Sequence, residues 1–268
     1  MLRVRVKRAL AALAIGGHPT GATVLTYHRI GGGTPDELDL PADEFTRQLD
    51  ALVTEGHDVV ALDQALDRLD DGDDRPTVVI TFDDGFRDVH EHAYPRLLER
   101  GLPFTLYLAA GLMGGEMRWE GSSASSQGAA ALSWEQVLEL HASGLCTIGN
   151  HTWDHAGPST VDVEQLDRCS DAIEQRVGDR PAHFAWTWGV PVPGLLPAVA
   201  ERFRSVATGQ LGRNVSSGER LALRRVPVRA SDPLAFFRAK LSGGLAPERA
   251  YEVIVRAGKA AGRVANRG

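Results

Sequence analysis

The run Thr77–Phe82 is made entirely of apolar or β-branched residues, and it ends abruptly in Asp83, Asp84 and Gly85. A run of this kind predicts a strand that is buried on both faces, which is typical of a parallel sheet covered by helices. Gly85 permits a sharp turn at the exit of the strand. We therefore expect both carboxylates at the C-terminal end of a parallel strand, where α/β folds bind their ligands. On this stretch alone, a helix cap and a solvated neighbour stay an alternative.

Strand and helix patterns alternate along almost all of the remaining chain, which favours a parallel sheet or barrel over separate α and β domains. Ser133 and Gln136 have the spacing of a capping box at the start of one helix. A long loop, rich in Gly, Ser and Ala, spans residues 110–132. The predicted strands are 23–28, 57–60, 77–82, 103–108, 145–149, 183–189, 205–207 and 221–228, and the predicted helices are 42–55, 62–69, 89–100, 133–144, 161–177, 195–203, 232–241 and 247–265.

Composition narrows the function classes. The formal net charge of -6 argues against nucleic-acid binding by the chain as a whole. Charge is unevenly placed, since no acid precedes Asp36 and none follows Glu252. Cys146 and Cys169 are the two cysteines, and we expect buried free thiols rather than a disulfide framework. The acidic loop 70–74 lacks the spacing of an EF-hand and is expected to be solvated.

The start of the chain is basic over residues 1–8 and apolar over residues 9–17. Its apolar part is too short to span a bilayer. Two interpretations stay open: a signal peptide with a very short apolar core, and an amphipathic helix that rests on the domain or on anionic lipid. We favour the helix, which makes peripheral membrane contact through this segment one of the expected interactions. The expected location is cytoplasmic or membrane-peripheral, with a secreted or periplasmic location left open.

His151 and His155 lie four residues apart at the exit of the predicted strand 145–149. Two imidazoles at this spacing on a helical turn reach one metal ion from the same side, although an isolated pair is also common among surface histidines. Both motifs follow strands of the same alternation, so we expect them at the same rim. Two imidazoles and one carboxylate suit Zn²⁺ or another divalent transition metal. The carboxylate left over is a candidate general base for a hydrolase.

Residues 81–85 (TFDDG) and 151–155 (HTWDH), in this order and each after a strand, resemble the polysaccharide deacetylase family, carbohydrate esterase family 4. The likeness covers residues 23–240. Further segments are similar to the exopolysaccharide-associated branch of the family, namely residues 25–29, Phe45, residues 56–60 and residues 221–228.

The resemblance implies a distorted (β/α) barrel of about seven strands, circularly permuted relative to the commonest members of the family. It implies a domain division into an N-terminal segment (1–20), a catalytic domain (21–245) and a C-terminal helix (246–268). It also implies a carbohydrate substrate and one divalent metal ion, most of all Zn²⁺. The implied metal ligands are Asp84, His151 and His155, and the implied general base is Asp83.

Two departures from the family pattern affect the other site residues. The histidine that usually serves as general acid, in an L-x-H near the C-terminus, is absent. In a permuted barrel His28, at the end of the first strand, takes this role, although packing or hydrogen bonding alone stays open. The arginine that usually pairs with the base is also missing from its motif. Arg225 is the candidate replacement, and a surface charge is the alternative.

The stretch 184–189 (FAWTWG) forms a wall of the expected site. Thr187 stands where the branch commonly has proline, so the shape of this wall is an open point. Trp119, Trp186 and Trp188 are candidates for stacking on sugar rings, with a core role as the alternative for each.

The expected function is a metal-dependent hydrolase that removes acetyl groups from N-acetylated sugars in a polysaccharide or glycan. Two alternatives stay open. One is an O-acetyl carbohydrate esterase that uses the same machinery. The other is a carbohydrate-binding homologue with weakened catalysis, which the altered wall at Thr187 suggests.

Overall fold

In the described part of the chain, seven parallel strands form a closed barrel, which confirms the predicted (β/α) barrel. The strands are β1 (Ala22–Tyr27), β2 (Thr77–Phe82), β3 (Phe104–Leu108), β4 (Cys146–Asn150), β5 (His183–Ala185), β6 (Ser205–Leu211) and β7 (Leu223–Pro227). From β2 to β7, strands that follow one another in the chain are neighbours in the barrel, and β1 closes it by pairing with both β2 and β7. Closure leaves no free sheet edge in the ring.

The computed structural model describes residues 2–12, 14, 17, 19–122, 128–242 and 244–265. The predicted loop 110–132 therefore lies partly outside the described residues. Its described part contains Glu116–Met117, which pairs with Ala129–Ala130 in an antiparallel ribbon. Two other short strands, Arg29–Ile30 and Asp39–Leu40, pair with each other, and Asp58–Val59 pairs with β2 outside the ring.

Helices connect successive strands from β1 to β6, and a 3₁₀ segment, Ser217–Ala222, precedes β7. The apolar residues of the α-helices face inward at helical spacing. In the helix Ala42–Thr54, for example, Phe45, Leu49 and Leu52 are buried. The predicted capping box is confirmed, since Ser133 Oγ accepts from Gln136 N and Gln136 Oε1 accepts from Ser133 N. The helices are α1 (Leu2–Ala12), α2 (Ala42–Thr54), α3 (Leu62–Asp70), α4 (Tyr94–Glu99), α5 (Trp134–Ala142), α6 (Val163–Val177), α7 (Leu196–Arg202), α8 (Leu234–Leu241) and α9 (Ala246–Ala265).

Several elements differ from the predicted bounds. The predicted strand 183–189 ends at Ala185, and Thr187–Gly189 form a 3₁₀ turn. The predicted helix 89–100 begins as a π-helical segment, Val89–Ala93, and continues as α4. Pro95 lacks a backbone N–H, so the ordinary hydrogen bond to Glu91 cannot form and the preceding turn widens. The predicted strand 205–207 extends to Leu211 because the end of β6 pairs with β7 beyond a register shift.

Contacts divide the chain into two units, which are residues 20–230 and the combination of residues 1–19 with 231–268. The sequence division placed residues 231–245 in the catalytic domain, whereas their contacts group them with the two terminal segments. A buried ionic cluster lies within this unit. Lys7 Nζ lies 2.5 Å from Asp232 Oδ1, and Lys240 Nζ lies 2.5 Å from Asp232 Oδ2 and 3.0 Å from Glu248 Oε2. We call residues 1–19 and 231–268 the terminal unit, and residues 20–230 the barrel unit.

Cys146 and Cys169 are buried and free, as predicted. Burial raises the pKa of the Cys169 thiol to about 12, so this thiol is protonated at neutral pH. None of the helices in the described part of the chain combines the length and the apolar character needed to cross a bilayer.

Candidate metal centre and active site

The carboxyl ends of the barrel strands bring the predicted site residues to one rim. Asp83 and Asp84 follow β2, His151 follows β4 and His28 follows β1, while Arg225 lies within β7. Because all strands of the barrel are parallel, these ends emerge on the same side. They open into a cavity of about 440 Å³, whose lining includes His28, Asp83, Asp84, Trp119, His151, His155, Trp188 and Arg225.

Three buried side chains converge on one point in this cavity. Asp84 Oδ1 lies 3.3 Å from His151 Nε2 and 3.3 Å from His155 Nε2. The three ligand atoms lie within 4.8 Å of one another. Burial alone would raise the pKa of Asp84, but the adjacent imidazoles of His151 and His155 outweigh it and hold this pKa well below its usual range. An ionised carboxylate and two imidazole nitrogens that face one another suit a divalent cation.

The second nitrogen of His151 supports this assignment. His151 Nδ1 lies 2.8 Å from the carbonyl oxygen of Ala185. A carbonyl oxygen only accepts, so Nδ1 carries a proton and Nε2 is directed toward Asp84. Metal-binding histidines commonly donate their other ring N–H to a carbonyl in this way. The residues present therefore fit a metal ion bound through His151 Nε2.

The backbone at the rim is strained. In the described residues, the non-glycine positions with positive φ are Asp84 (76°), Thr152 (66°), His155 (59°) and Trp188 (58°). The left-handed region is uncommon for residues other than glycine, and most of all for a β-branched residue such as Thr152. All four positions lie in or next to the candidate site, where such strain is commonly found.

Hydrogen bonds hold the strained turn that carries the two histidines. Asn150 Oδ1 accepts from Thr152 N over 2.8 Å, and Thr152 Oγ1 accepts from Ala156 N over 3.0 Å. The amide of Asn150 donates to Leu166 O and Ser170 Oγ in α6. Asn150 and Thr152 were not among the predicted site residues, although a polar residue at the end of a buried strand, directly before the motif, is a usable signal.

Arg225 pairs with Asp83, as predicted. Its Nη1 donates to Asp83 Oδ1 over 2.7 Å and its Nε donates to Thr208 O over 3.0 Å. Burial alone would raise the pKa of Asp83, but the charge of Arg225, together with His151 and His28, outweighs it and lowers this pKa. Asp83 is therefore an ionised carboxylate with one oxygen held by the guanidinium.

His28 lies on the other side of Asp83. Its Nε2 is 4.0 Å from Asp83 Oδ2, and its ring lines the cavity and is partly exposed. Within the described residues, His28 Nδ1 is buried without a hydrogen-bond partner. The two oxygens of Asp83 thus have different neighbours: Arg225 at Oδ1 and His28 at Oδ2.

The three predicted tryptophans do not share one environment. Trp119 and Trp188 line the cavity, with ring centroids 4.2 Å and 5.6 Å from the ring of His155. Trp186 is only 1% exposed and packs edge-on against Phe184 in the core. Its predicted stacking on sugar is therefore corrected, because its side chain is buried in a core cluster with Val199 and Phe203 and does not line the cavity.

Thr187, at the position where proline was expected, forms a hydrogen bond that a proline could not form. Its buried hydroxyl donates to the carbonyl oxygen of Ala156 over 2.5 Å. This bond joins the turn that carries Trp188 to the residue that follows His155. The wall therefore keeps a fixed conformation without proline, through a contact that the sequence did not reveal.

A family model and several solved structures are similar to this chain, and they indicate the same kind of protein. Residues 70–200 match the family model described as polysaccharide deacetylase. The structure of IcaB from Ammonifex degensii has a TM-score of 0.70 and 29% sequence identity, over 83% of this chain and 98% of that chain. Streptococcus pyogenes deacetylase PplD, solved in complex with acetate, has a TM-score of 0.70 at 21% identity, over 83% of this chain and 99% of that chain, which shows a shared fold.

A curated relative is similar over part of its length. YxkH of Bacillus subtilis (strain 168), provisionally named as a polysaccharide deacetylase, is 29% identical over 140 residues. These residues are 51% of this chain and 44% of YxkH, so the match spans less than half of that protein. Together with the closed parallel barrel and the convergent Asp84, His151 and His155, these likenesses support assignment of the chain to the polysaccharide deacetylase family, carbohydrate esterase family 4.

Proposed function

We propose that this protein is a metal-dependent deacetylase that hydrolyses the acetamide group of N-acetylated sugars in a polysaccharide or glycan. One observation carries the proposal. Asp83 is an ionised carboxylate, held by Arg225, beside the convergent Asp84, His151 and His155 but separate from them. This arrangement supplies both a cation site and a base at one cavity, which is the combination that amide hydrolysis needs.

Asp84, His151 and His155 would hold one divalent cation, and Zn²⁺ suits two imidazoles and a carboxylate best. When bound, such an ion supplies Lewis-acid polarisation and lowers the pKa of water. The remaining chemistry belongs to the side chains of the protein.

Asp83 is the proposed general base. Arg225 occupies Oδ1, so Oδ2 is the oxygen free to accept a proton from the attacking water. The water oxygen forms a bond to the acetyl carbon, and its proton moves to Asp83. Arg225 keeps Asp83 ionised and oriented between turnovers. A positioned base of this kind contributes about 10²–10⁴ in rate.

His28 is the proposed general acid. When the bond between the acetyl carbon and nitrogen breaks, the leaving amine needs a proton, and His28 Nε2 supplies it. The products are acetate and a free amino sugar. An ester releases an alcohol, which depends less on this proton, so His28 is also the residue that separates the N-deacetylase from an O-acetyl esterase.

Trp119 and Trp188 are the proposed sugar contacts. Their rings flank His155, and Trp188 is 50% exposed at the mouth of the cavity. Aromatic rings in this position present an apolar face to a sugar ring. A homologue that only binds carbohydrate would need these rings but not the paired Asp83, which favours the enzyme.

The test is acetate release from N-acetylglucosamine oligomers and O-acetylated xylan by protein loaded with Zn²⁺. We expect Asp83→Asn to lower kcat by about 10²–10⁴, while Asp71→Asn, at an exposed turn, retains the wild-type rate. His28→Ala should impair the amide substrates more than the esters. Binding of the oligomers without acetate release from any substrate would overturn the proposal in favour of a binding protein.

Metal binding is measured separately, on protein stripped with a chelator. We expect one Zn²⁺ per chain for the wild type and for His57→Ala, and loss of tight binding for His151→Ala. Equal zinc binding by the two variants would place the metal elsewhere.

A further inference from the structure

Charge is divided unequally between the two units. Residues 1–19 and 231–268 contain eleven Lys and Arg but three Asp and Glu, which gives the terminal unit a formal charge of +8. Residues 20–230 contain 18 Lys and Arg and 32 Asp and Glu, which gives the barrel unit a charge of −14. The overall charge of -6 is therefore the sum of one strongly basic and one strongly acidic unit.

Burial removes the few acids of the terminal unit from its surface. Asp232 and Glu248 are buried in the ionic cluster with Lys7 and Lys240. The third acid, Glu252, is half-buried. Among the described residues of this unit no carboxylate is exposed, so the charge that it presents to solvent is positive.

The helix α1 buries a charged residue and exposes an apolar one. Its inward side carries Lys7, which is buried against Ser231 and Asp232. Its exposed side carries Arg5 and Arg8 beside Leu2, which is 76% exposed. Lys7 thus binds α1 to the segment at residues 231–232 of the same unit, while two arginines and a leucine face solvent.

The helix α9 shows the same division. Glu248 and Tyr251 are buried on its inward side. Its exposed side carries Arg249 and Arg256 beside Val253 (65% exposed) and Ile254 (48% exposed). Large apolar side chains next to arginines on an exposed helix face are typical of helices that lie in the membrane interface.

We infer that the terminal unit binds the surface of bilayers that contain anionic phospholipids. The arginines of α1 and α9 match the negative headgroups, and Leu2, Val253 and Ile254 reach the boundary with the acyl chains. Nucleic acid and other soluble polyanions would be attracted by the charge alone and would make no use of the exposed apolar residues. The inference stands on the terminal unit and is independent of the proposed deacetylase activity.

The test is co-sedimentation of the full chain with vesicles. We expect binding to phosphatidylcholine vesicles that contain about 30 mol% phosphatidylglycerol, and little binding to phosphatidylcholine alone. Raising the salt from about 0.1 M to about 1 M shortens the Debye length from about 10 Å to about 3 Å and should weaken the binding.

Charge-reversal variants locate the surface. We expect Arg5→Glu with Arg8→Glu, or Arg249→Glu with Arg256→Glu, to lower vesicle partitioning at least about tenfold. The matched control reverses two exposed arginines of the barrel unit, Arg47→Glu with Arg180→Glu, and should bind like the wild type. Val253→Ser with Ile254→Ser should lower the fraction that remains bound at high salt.

Thermal unfolding checks that each variant is folded, and Arg→Gln versions of the same pairs replace any variant that is not. Equal binding to neutral and anionic vesicles, or wild-type binding by both reversal pairs on the terminal unit, would overturn the inference. Binding of a duplex DNA oligonucleotide at least as tightly as the anionic vesicles would also overturn it, in favour of a general polyanion site.

Discussion

Arg225 Nη1 donates a hydrogen bond to Asp83 Oδ1 over 2.7 Å, between two buried residues that lie 142 positions apart in the chain. The adjacent Arg224 alternates to the other face of β7, where it is partly exposed and pairs with Glu219. Two neighbouring arginines of one strand thus lie in different environments, one in the site and one outside it. Substitutions of Arg225 and Arg224 therefore form a matched pair.

We expect Arg225→Lys to lower kcat for acetate release by about 10–100-fold, with a smaller change in KM. A lysine keeps the charge but cannot contact both Asp83 and Thr208, so it holds the base less firmly. Arg224→Lys is the control and should retain wild-type kinetics. Equal losses in the two variants would show that the contact between Arg225 and Asp83 has no special part in catalysis.

The tryptophans give a second prediction, which separates substrate contact from stability. Trp186→Ala should lower the free energy of unfolding by about 3–5 kcal/mol, because it leaves a cavity in the core. Trp188→Ala should change the free energy of unfolding by less than about 0.5 kcal/mol, because this side chain is half exposed. Trp188→Ala should instead raise KM for an N-acetylated oligosaccharide. The measurements are denaturant unfolding and substrate-dependent acetate release, and a stable Trp186→Ala would contradict the assignment to the core.

Thr187→Val tests the wall of the cavity. The substitution keeps the shape of the side chain but removes the donor to Ala156, which leaves a buried carbonyl unsatisfied. We expect the free energy of unfolding to fall by about 1–3 kcal/mol, measured by denaturant unfolding. Thr160→Val, at an exposed loop, should change it by less than about 0.5 kcal/mol. If both variants match the wild type, the hydrogen bond does not stabilise this wall.

The ionic cluster of the terminal unit predicts a dependence of stability on pH. Burial alone would raise the pKa of Asp232, but the charges of Lys240 and Lys7 outweigh it and lower this pKa. A lowered pKa in the folded state contributes stability above the unfolded pKa of about 3.9. This stability is lost as the pH falls through the folded pKa. The second carboxylate in the cluster is Glu248, on the other side of Lys240.

Accordingly, Asp232→Asn should lower the free energy of unfolding at pH 7 by about 3–5 kcal/mol, because Lys7 and Lys240 lose their shared counter-ion. The difference from the wild type should stay constant down to about pH 5 and narrow as the pH falls below about 3.9. Denaturant unfolding across this range measures it, with Asp71→Asn as the control. A difference that does not depend on pH would contradict an ionised Asp232.

The alternation of strands and helices was sufficient to predict a parallel sheet or barrel with two motifs at its rim, and the family resemblance favoured the barrel. The run Thr77–Phe82 has a strong local pattern, and the residues after it are positioned by the parallel topology alone. The spacing of His151 and His155 is likewise local. For these features, chain order and strand direction suffice to predict which side chains meet.

Features that depend on long-range contacts could not be predicted. Lys7 looked like one more charge in a basic segment, because its partner Asp232 lies 225 positions away. The hydrogen bond from Thr187 to Ala156 depends on the path of two separate loops. Trp186 and Trp188 lie two positions apart, so a continuous strand would place them on the same face. The positive φ at Trp188 interrupts that pattern, and only Trp188 lines the cavity.

The left-handed backbone at Asp84, Thr152, His155 and Trp188 has a consequence for engineering this protein. Such positions cost about 1–3 kcal/mol each, which glycine would relieve. Selection for heat resistance alone would therefore favour glycine at the very turns that carry the site. A library of variants screened only for stability at high temperature would yield more stable proteins with lower catalytic activity, unless turnover is also part of the screen.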